Sequence, residues 1–431
     1  MIRFVLAAVL AIGVLPAKAE IAIQEVTSPN GIKAWLVEER SIPFVALNVW
    51  FQGGGTLDLP GKRGATNLMV GLLEEGTGDM NAQDFARKAE ALAAEFDYNA
   101  YDDVVAISAQ FLTENRDEAV ALLRKSIVEP RFDEVSVERV RGQVLSIIQS
   151  DQKDPDHIAS QTFDALAFGD HPYATSIDGS IESVSALTRE DVVTAHRNAL
   201  ALDNVFVSAV GDISAEELGA LLDTLLDGLP EQAAGLPPHA GYQLEGGQTV
   251  VEFATPQSVA IFGHEGITRD DPDFFAAYVL NQILGGSGFE SRLMNEVREK
   301  RGLTYGVSSF LVAKDHGELY LGQVASANDR IGDAIDVIRS EWQRMAEEGP
   351  TQDELERTKT YLTGAYPLRF DGNGTIANIL VGMQMDDLPI DYVATRNAKV
   401  EAVTMEDIKR VAKRILRPEE LHFVIVGQPE G

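Results

Sequence analysis

The chain repeats itself once, and that repeat limits its fold more than any other feature. A strand at Val45–Phe51 leads to a helix at Gly64–Glu75, a glycine stop at Gly76 and a helix at Met80–Phe96. A strand stretch at Tyr98–Leu112 and a helix at Glu114–Val128 follow. The order recurs 205–214 residues later: strand Val259–Glu265, helix Pro272–Leu284, the Gly285-Gly286 stop and helix Phe289–Arg301. Strands Leu303–Ala313 and Gly317–Ser326 and helix Asn328–Glu348 complete the second copy. The strands alternate and the helices carry apolar residues every three or four positions, the two periods that pleat and helix impose. A two-fold repeat of this length is too long for a solenoid. It predicts an α+β protein of two homologous repeats, each an antiparallel-rich sheet with helices packed on one face. The stretch 229–247, with three prolines and four glycines, has little periodicity and reads as a linker between repeats at 20–228 and 248–431.

Residues 1–19 read as a signal peptide. Arg3 precedes the apolar run Phe4–Leu15, and Ala17-Lys18-Ala19 is an A-x-A cleavage site. The run is too short to span a membrane, and no other segment offers a span. A periplasmic or secreted protein is expected. Removing the signal takes the formal net charge from −31 to −33. Such acidity argues against nucleic acid and anionic membranes as partners. It suits basic peptides or a basic partner subunit, and it serves solubility equally well. The absence of cysteine excludes disulfides, thiolate metal sites and a cysteine nucleophile.

Chemistry concentrates in Asn281–Phe310, which reads as a helix end, a Gly-rich turn, an amphipathic helix and a strand. Leu293, Met294 and Val297 share one helix face. Basic residues crowd the last turn, where they suit the helix dipole, and Gly302 is a good terminator. Leu303, Tyr305, Val307 and Ser309 alternate onto one strand face. Arg298 and Tyr305 straddle Gly302, so a cation and a phenol can meet. Taken alone, this pair also reads as a solvated arginine and a half-buried strand tyrosine.

The remaining candidates are weaker. His157, His171, His196, His239, His264, His316 and His422 lie far apart, with no two at i, i+4. Ser308 and Ser309 lack a nucleophile elbow, and the runs Gly53–Gly55 and Gly285–Gly288 do not form a phosphate loop. Glu74-Glu75 and Asp102-Asp103 read as a solvated helix end and a strand-turn edge.

The run S-R-L-x-x-E-V-R-E-K-R-G-L-x-Y, Ser291–Tyr305, resembles the C-terminal half of pitrilysin/insulinase-type, mitochondrial-processing-peptidase-like zinc metallopeptidases. Gly169-Asp170-His171-Pro172 and Asn99-Ala100 extend the resemblance over nearly all of the mature chain. Catalytic members of that family carry H-x-x-E-H, in which two histidines bind zinc and the glutamate activates water. Here Asn67 and Gly71 stand at the histidine positions, Val70 at the glutamate position and Ile147 near the third ligand. An amide, a hydrogen and two aliphatic side chains cannot hold zinc, so the chain itself is expected to bind no metal cofactor.

The resemblance therefore implies half an active site. Tyr305 would donate to the oxyanion and Arg298 would hold the substrate backbone or Tyr305. Ser287, Gly288 and Ser291 would line the adjacent loop. An extended peptide would add to a sheet edge, where Asn99 keeps the family's residue type and Asp102 replaces its threonine. Zinc would come from an H-x-x-E-H partner in a heterodimer, and the chain would be inactive alone. The alternatives are a non-catalytic peptide-binding or assembly subunit, and hydrolysis at an unrecognised site.

Overall fold

The computed structural model describes residues 21–430 except Ser287 and Phe289. The expected signal peptide lies outside the described residues, as does Ser287.

Eleven strands of four or more residues build two sheets among the described residues. In the first half these are β1 Gln24–Thr27, β2 Lys33–Glu38, β3 Phe44–Gln52, β4 Glu95–Ala100, β5 Val104–Leu112 and β6 Val205–Gly211. In the second half they are β7 Gly247–Glu252, β8 Gln257–Glu265, β9 Val307–Lys314, β10 Gly317–Ala327 and β11 His422–Gly427. The first sheet runs β1-β2-β6-β3-β5-β4 and the second β9-β10-β8-β11-β7. From the edge hairpin inward, the two orders are the same: β4-β5-β3-β6-β2 and β9-β10-β8-β11-β7. Each sheet is antiparallel except for one parallel pair, β2 with β6 and β7 with β11. The internal repeat is thus a repeat of topology.

Each sheet packs one face on helices of its own half. Val45, Leu47, Val49, Phe51, Ile107 and Phe111 meet the first half's helices. Ala260, Phe262, Tyr320 and Val324 meet Ala277, Leu280, Ile338 and Trp342 in the second. The opposite faces are closed by exchange. Helix Asn373–Met385, from the second half, lays Ala377, Leu380 and Met383 on Ala46 and Val210 of the first sheet. Helix Pro155–Phe168, from the first half, lays Ala159, Phe163 and Phe168 on Ile261, Leu319, Val424 and Val426 of the second. Burying one phenylalanine there contributes about 2–3 kcal/mol. Ser208 adds a polar tie across the first contact, its hydroxyl donating to Ala377 O at 2.6 Å.

Some element bounds differ from expectation, for physical reasons. Tyr98–Leu112 is a hairpin, not one bent strand. The carbonyls of Tyr101, Asp102 and Asp103 accept N–H bonds from Gly55, Thr56 and Gly53 at 2.7–2.8 Å, which folds the chain back. Gly54, at φ +38°, has no room for a Cβ against that turn. The helix expected at Gly64–Glu75 is shorter, Ala65–Val70. Strand β7 begins where the linker was expected to end, because Thr249–Val251 pair with Val424–Val426 of β11.

Candidate active-site groove

The degenerate zinc helix is held by Asp58. Its carboxylate accepts Gly64 N–H at 2.9 Å, Thr66 N–H at 2.8 Å and Thr66 O–H at 2.7 Å. Burial raises the Asp58 pKa despite these donors. Asn67 spends its amide on Asp178 Oδ1 at 2.8 Å. Val70 is buried in the core. A side chain at Gly71 would start 3.1 Å from Val140 Cγ1. Ile147, on helix Glu134–Asp151, is half exposed and presents hydrocarbon. These four positions supply no charged or imidazole donor and do not fit zinc. Among the described residues no group of three His, Cys, Asp or Glu side chains could hold a metal ion.

The second candidate is an open groove of about 460 Å³. Arg298 and Tyr305 both line it, with Gly288 beside them. It is bounded by Val259 of β8, Val307 of β9 and Val324 of β10.

Local sequence explains how the two side chains arrive there. Arg298 lies in a π-helical turn, Met294–Glu299, within the expected helix. Lys300 N–H reaches back five residues to Asn295 O at 3.0 Å. Gly302, at φ +61°, ends the turn, its N–H donating to Arg298 O at 2.8 Å. π-Turns are uncommon and recur at functional sites. The basic residues beside Arg298 are engaged elsewhere. Lys300 and Arg301 donate to the buried Glu296 at 2.6 and 2.8 Å. Burial works to raise the Glu296 pKa, but these two cations hold it below the usual range. Arg298 keeps Glu299 at 3.5 Å.

Tyr305 corrects one expectation. It does not sit on a strand face with Val307 and Ser309, because β9 begins only at Val307. Tyr305 is 84% exposed, in the loop before the strand. Thr304 sets this outward turn. Its single hydroxyl proton lies within reach of Ala325 O at 2.6 Å and Gly306 O at 2.8 Å, the shorter being the bond to Ala325, and its oxygen accepts Gly306 N–H at 3.0 Å. The same loop is tied by Ser326 Oγ to Leu303 O, and by Arg330 to Gly302 O at 3.2 Å.

The other expected site residues are distributed more widely. Ser291 is buried and accepts Met294 N–H at 3.5 Å, an end cap outside the groove lining. Together with Gly288 it lines a neighbouring pocket of about 300 Å³ that also includes Tyr361. Asn99 is exposed on β4, the edge strand of the first sheet, and does not line the groove.

Sequence reasoning missed three contributors. Thr304 positions Tyr305. Arg292 anchors the site segment through a paired contact to Glu354 at 2.7 and 2.8 Å. Asp156 enters the groove from the first half's exchanged helix. Thr304 and Arg292 sat inside the recognised run, whereas Asp156 was legible only as part of a helix start.

Residues 34–180 match the family described as Insulinase (Peptidase family M16), and residues 186–362 match Peptidase M16 inactive domain. The non-peptidase homolog YmxG of Helicobacter pylori is 26% identical over 394 residues, 90% of each chain. An uncharacterized zinc protease of Streptomyces coelicolor is 26% identical over 408 residues, 91% of this chain and 87% of its own. The crystal structure of a peptidase M16 inactive domain from Pseudomonas fluorescens superposes with a TM-score of 0.89 at 28% identity, covering 95% of this chain and 98% of that one. A protease from Helicobacter pylori shares the fold, with a TM-score of 0.86 at 17% identity over 94% of this chain and all of that one. With two adjacent family matches over most of its length and the same fold, the chain belongs to the insulinase family, peptidase family M16.

Proposed function

We propose that this chain is the non-zinc subunit of an exported heterodimeric zinc metallopeptidase. One observation carries the reading: Arg298 and Tyr305 line a single open groove, while Asn67, Val70, Gly71 and Ile147 cannot bind metal or activate water. The hydroxyl of Tyr305 donates to the oxyanion that forms when water adds to a peptide carbonyl. Arg298 binds the neighbouring backbone carbonyl and fixes its register. The peptide lies extended against a sheet edge, where backbone pairing gives affinity without demanding a sequence. The partner's H-x-x-E-H helix supplies zinc and the base that deprotonates water. Neither half is sufficient alone. Gly288 and Ser291 shape the loop beside the groove in this scheme.

A second reading is a non-catalytic peptide-binding or assembly subunit. The name of the Helicobacter pylori relative, a non-peptidase homolog, favours it. Mixing separates the two. The chain is purified alone and with an H-x-x-E-H family member encoded beside it, then assayed on an unstructured peptide. Zinc-dependent hydrolysis only in the mixture, lost in Arg298→Ala, supports the peptidase reading. A zinc-loaded partner equally active without this chain rejects it.

A further inference from the structure

A turn wound to an uncommon register places Arg298. At the end of the π-helical stretch Met294–Glu299, Lys300 N–H reaches past Glu296 O to Asn295 O at 3.0 Å. The Glu296 O so bypassed accepts Arg301 Nη1 at 2.7 Å, and the same nitrogen donates to Glu296 Oε2 at 2.8 Å. Glu296 and Arg301 stand five residues apart. Around an α-helix, at roughly 100° per residue, they would point about 140° away from each other. Around a π-turn, whose own bonds span five residues, the second lies over the first. The pair is therefore made in one register and broken in the other. Lys300, four residues from Glu296, makes no such distinction, because an α-helix also brings i and i+4 together.

Glu296 is not free to follow a rewound helix. It is buried, and Arg344 of helix Ile331–Glu348 stands 3.9 Å from it while pairing at 2.7 Å with Glu341 of the same helix. Leu293 and Val297, on either side of it, are fully buried in the second half's core. Arg298 follows Val297 within the turn and lines the groove with Tyr305. Rewinding the turn to α would swing the residues after Glu296 about the axis, Arg298 among them, by up to one residue step, roughly 100°. We propose that Glu296 and Arg301 are positioning residues that together lock the π register and so aim Arg298 into the groove. The assignment rests on the peptide-binding role of Arg298 given above. It gives two residues that do not line the groove control over one that does.

The test is the variant Arg301→Met, which keeps the aliphatic stem and removes the donors. A crystal structure of the full mature chain carrying it should show Lys300 N–H on Glu296 O and Arg298 turned out of the groove. An intact π-turn with Arg298 in place overturns the proposal. In the mixture with the zinc partner, assayed on an unstructured peptide, Arg301→Met should lower kcat/KM about tenfold, within the range that a misplaced binding group costs. In an Arg298→Ala background the same substitution should change kcat/KM by no more than about twofold, because the group that it misplaces is gone. An equal loss in both backgrounds shows that Arg301 acts on the fold at large, and overturns the proposal. If Arg301→Met does not fold, Arg301→Gln takes its place in both measurements. A mixture of native chains without hydrolysis overturns the peptidase reading alone, and the register in the variant crystal then decides the lock.

Discussion

Lys314 donates to Asp102 at 2.8 Å, joining the tip of the β9–β10 hairpin to the tip of β4–β5. The two edge hairpins, one from each repeat, meet tip to tip. Asp103 extends the contact, accepting Tyr173 O–H at 2.6 Å and Asp315 N–H at 3.3 Å. Arg63 also reaches Asp102, at 2.9 Å. Both partners of the Lys314–Asp102 pair are mostly shielded from solvent, so it is screened less than an exposed one. Lys314→Ala should cost about 1 kcal/mol, and a double-mutant cycle with Asp102→Asn should give a coupling of similar size. Denaturant unfolding measures both, and a coupling near zero would show that the tips do not hold the halves together.

The helix exchange makes each half depend on the other. Phe163 is fully buried against a sheet that its own half does not contain. Phe163→Ala should destabilise the protein by about 3–5 kcal/mol, as core truncations of phenylalanine do. The loss should appear in unfolding of the second sheet, which tryptophan fluorescence can follow through Trp342 in that half's core.

Glycine substitutions should separate close approach from mere flexibility. A Cβ at Gly285 would collide with Ser309 Oγ and lie 2.8 Å from Ser309 N, whose N–H donates to Gly285 O at 2.7 Å. Gly285→Ala should cost about 1–3 kcal/mol and loosen β9 beneath the groove. Gly142 is solvent-exposed inside a helix, and a Cβ there would have nothing within 4 Å of it. Gly142→Ala should stabilise by about 0.5–1 kcal/mol. Thermal unfolding should therefore give shifts of opposite sign.

Acid should weaken the anchor of the site segment. Burial pushes Glu354 up, but Arg292 and the Thr351 N–H and O–H outweigh it and hold the carboxyl at about 2, against an ordinary 4.5. A depressed folded pKa gives stability that is complete above about pH 4.5 and is lost as pH falls toward about 2. The native chain should lose part of its stability in that window. Arg292→Leu should be less stable at neutral pH and show a smaller acid-dependent loss there, measured by denaturant unfolding across about pH 2–6.

Thr304 and Tyr305 offer a test of positioning against chemistry. In the active mixture, Tyr305→Phe should lower kcat about a hundredfold with little change in KM, as loss of one oxyanion donor does. Thr304→Val keeps the shape and removes the donated bond to Ala325 O and the one accepted from Gly306 N–H. It should cost about 1–3 kcal/mol of stability and also lower kcat. An unchanged kcat in Thr304→Val would mean that Tyr305 does not need the bracing.

The amino-acid sequence by itself determined the α+β repeat, the glycine that ends the Arg298 turn, and the loss of zinc donors at Asn67, Val70, Gly71 and Ile147. These follow from local period, local backbone freedom and side-chain chemistry, each readable within a few positions. Only the tertiary structure decided that helices Pro155–Phe168 and Asn373–Met385 change places. Amphipathic spacing says that a helix has an apolar face but not which sheet will cover it. That long-range choice brings Asp156 to the groove that Arg298 lines, and the bond from Thr304 to β10 turns Tyr305 out of the strand and into the groove.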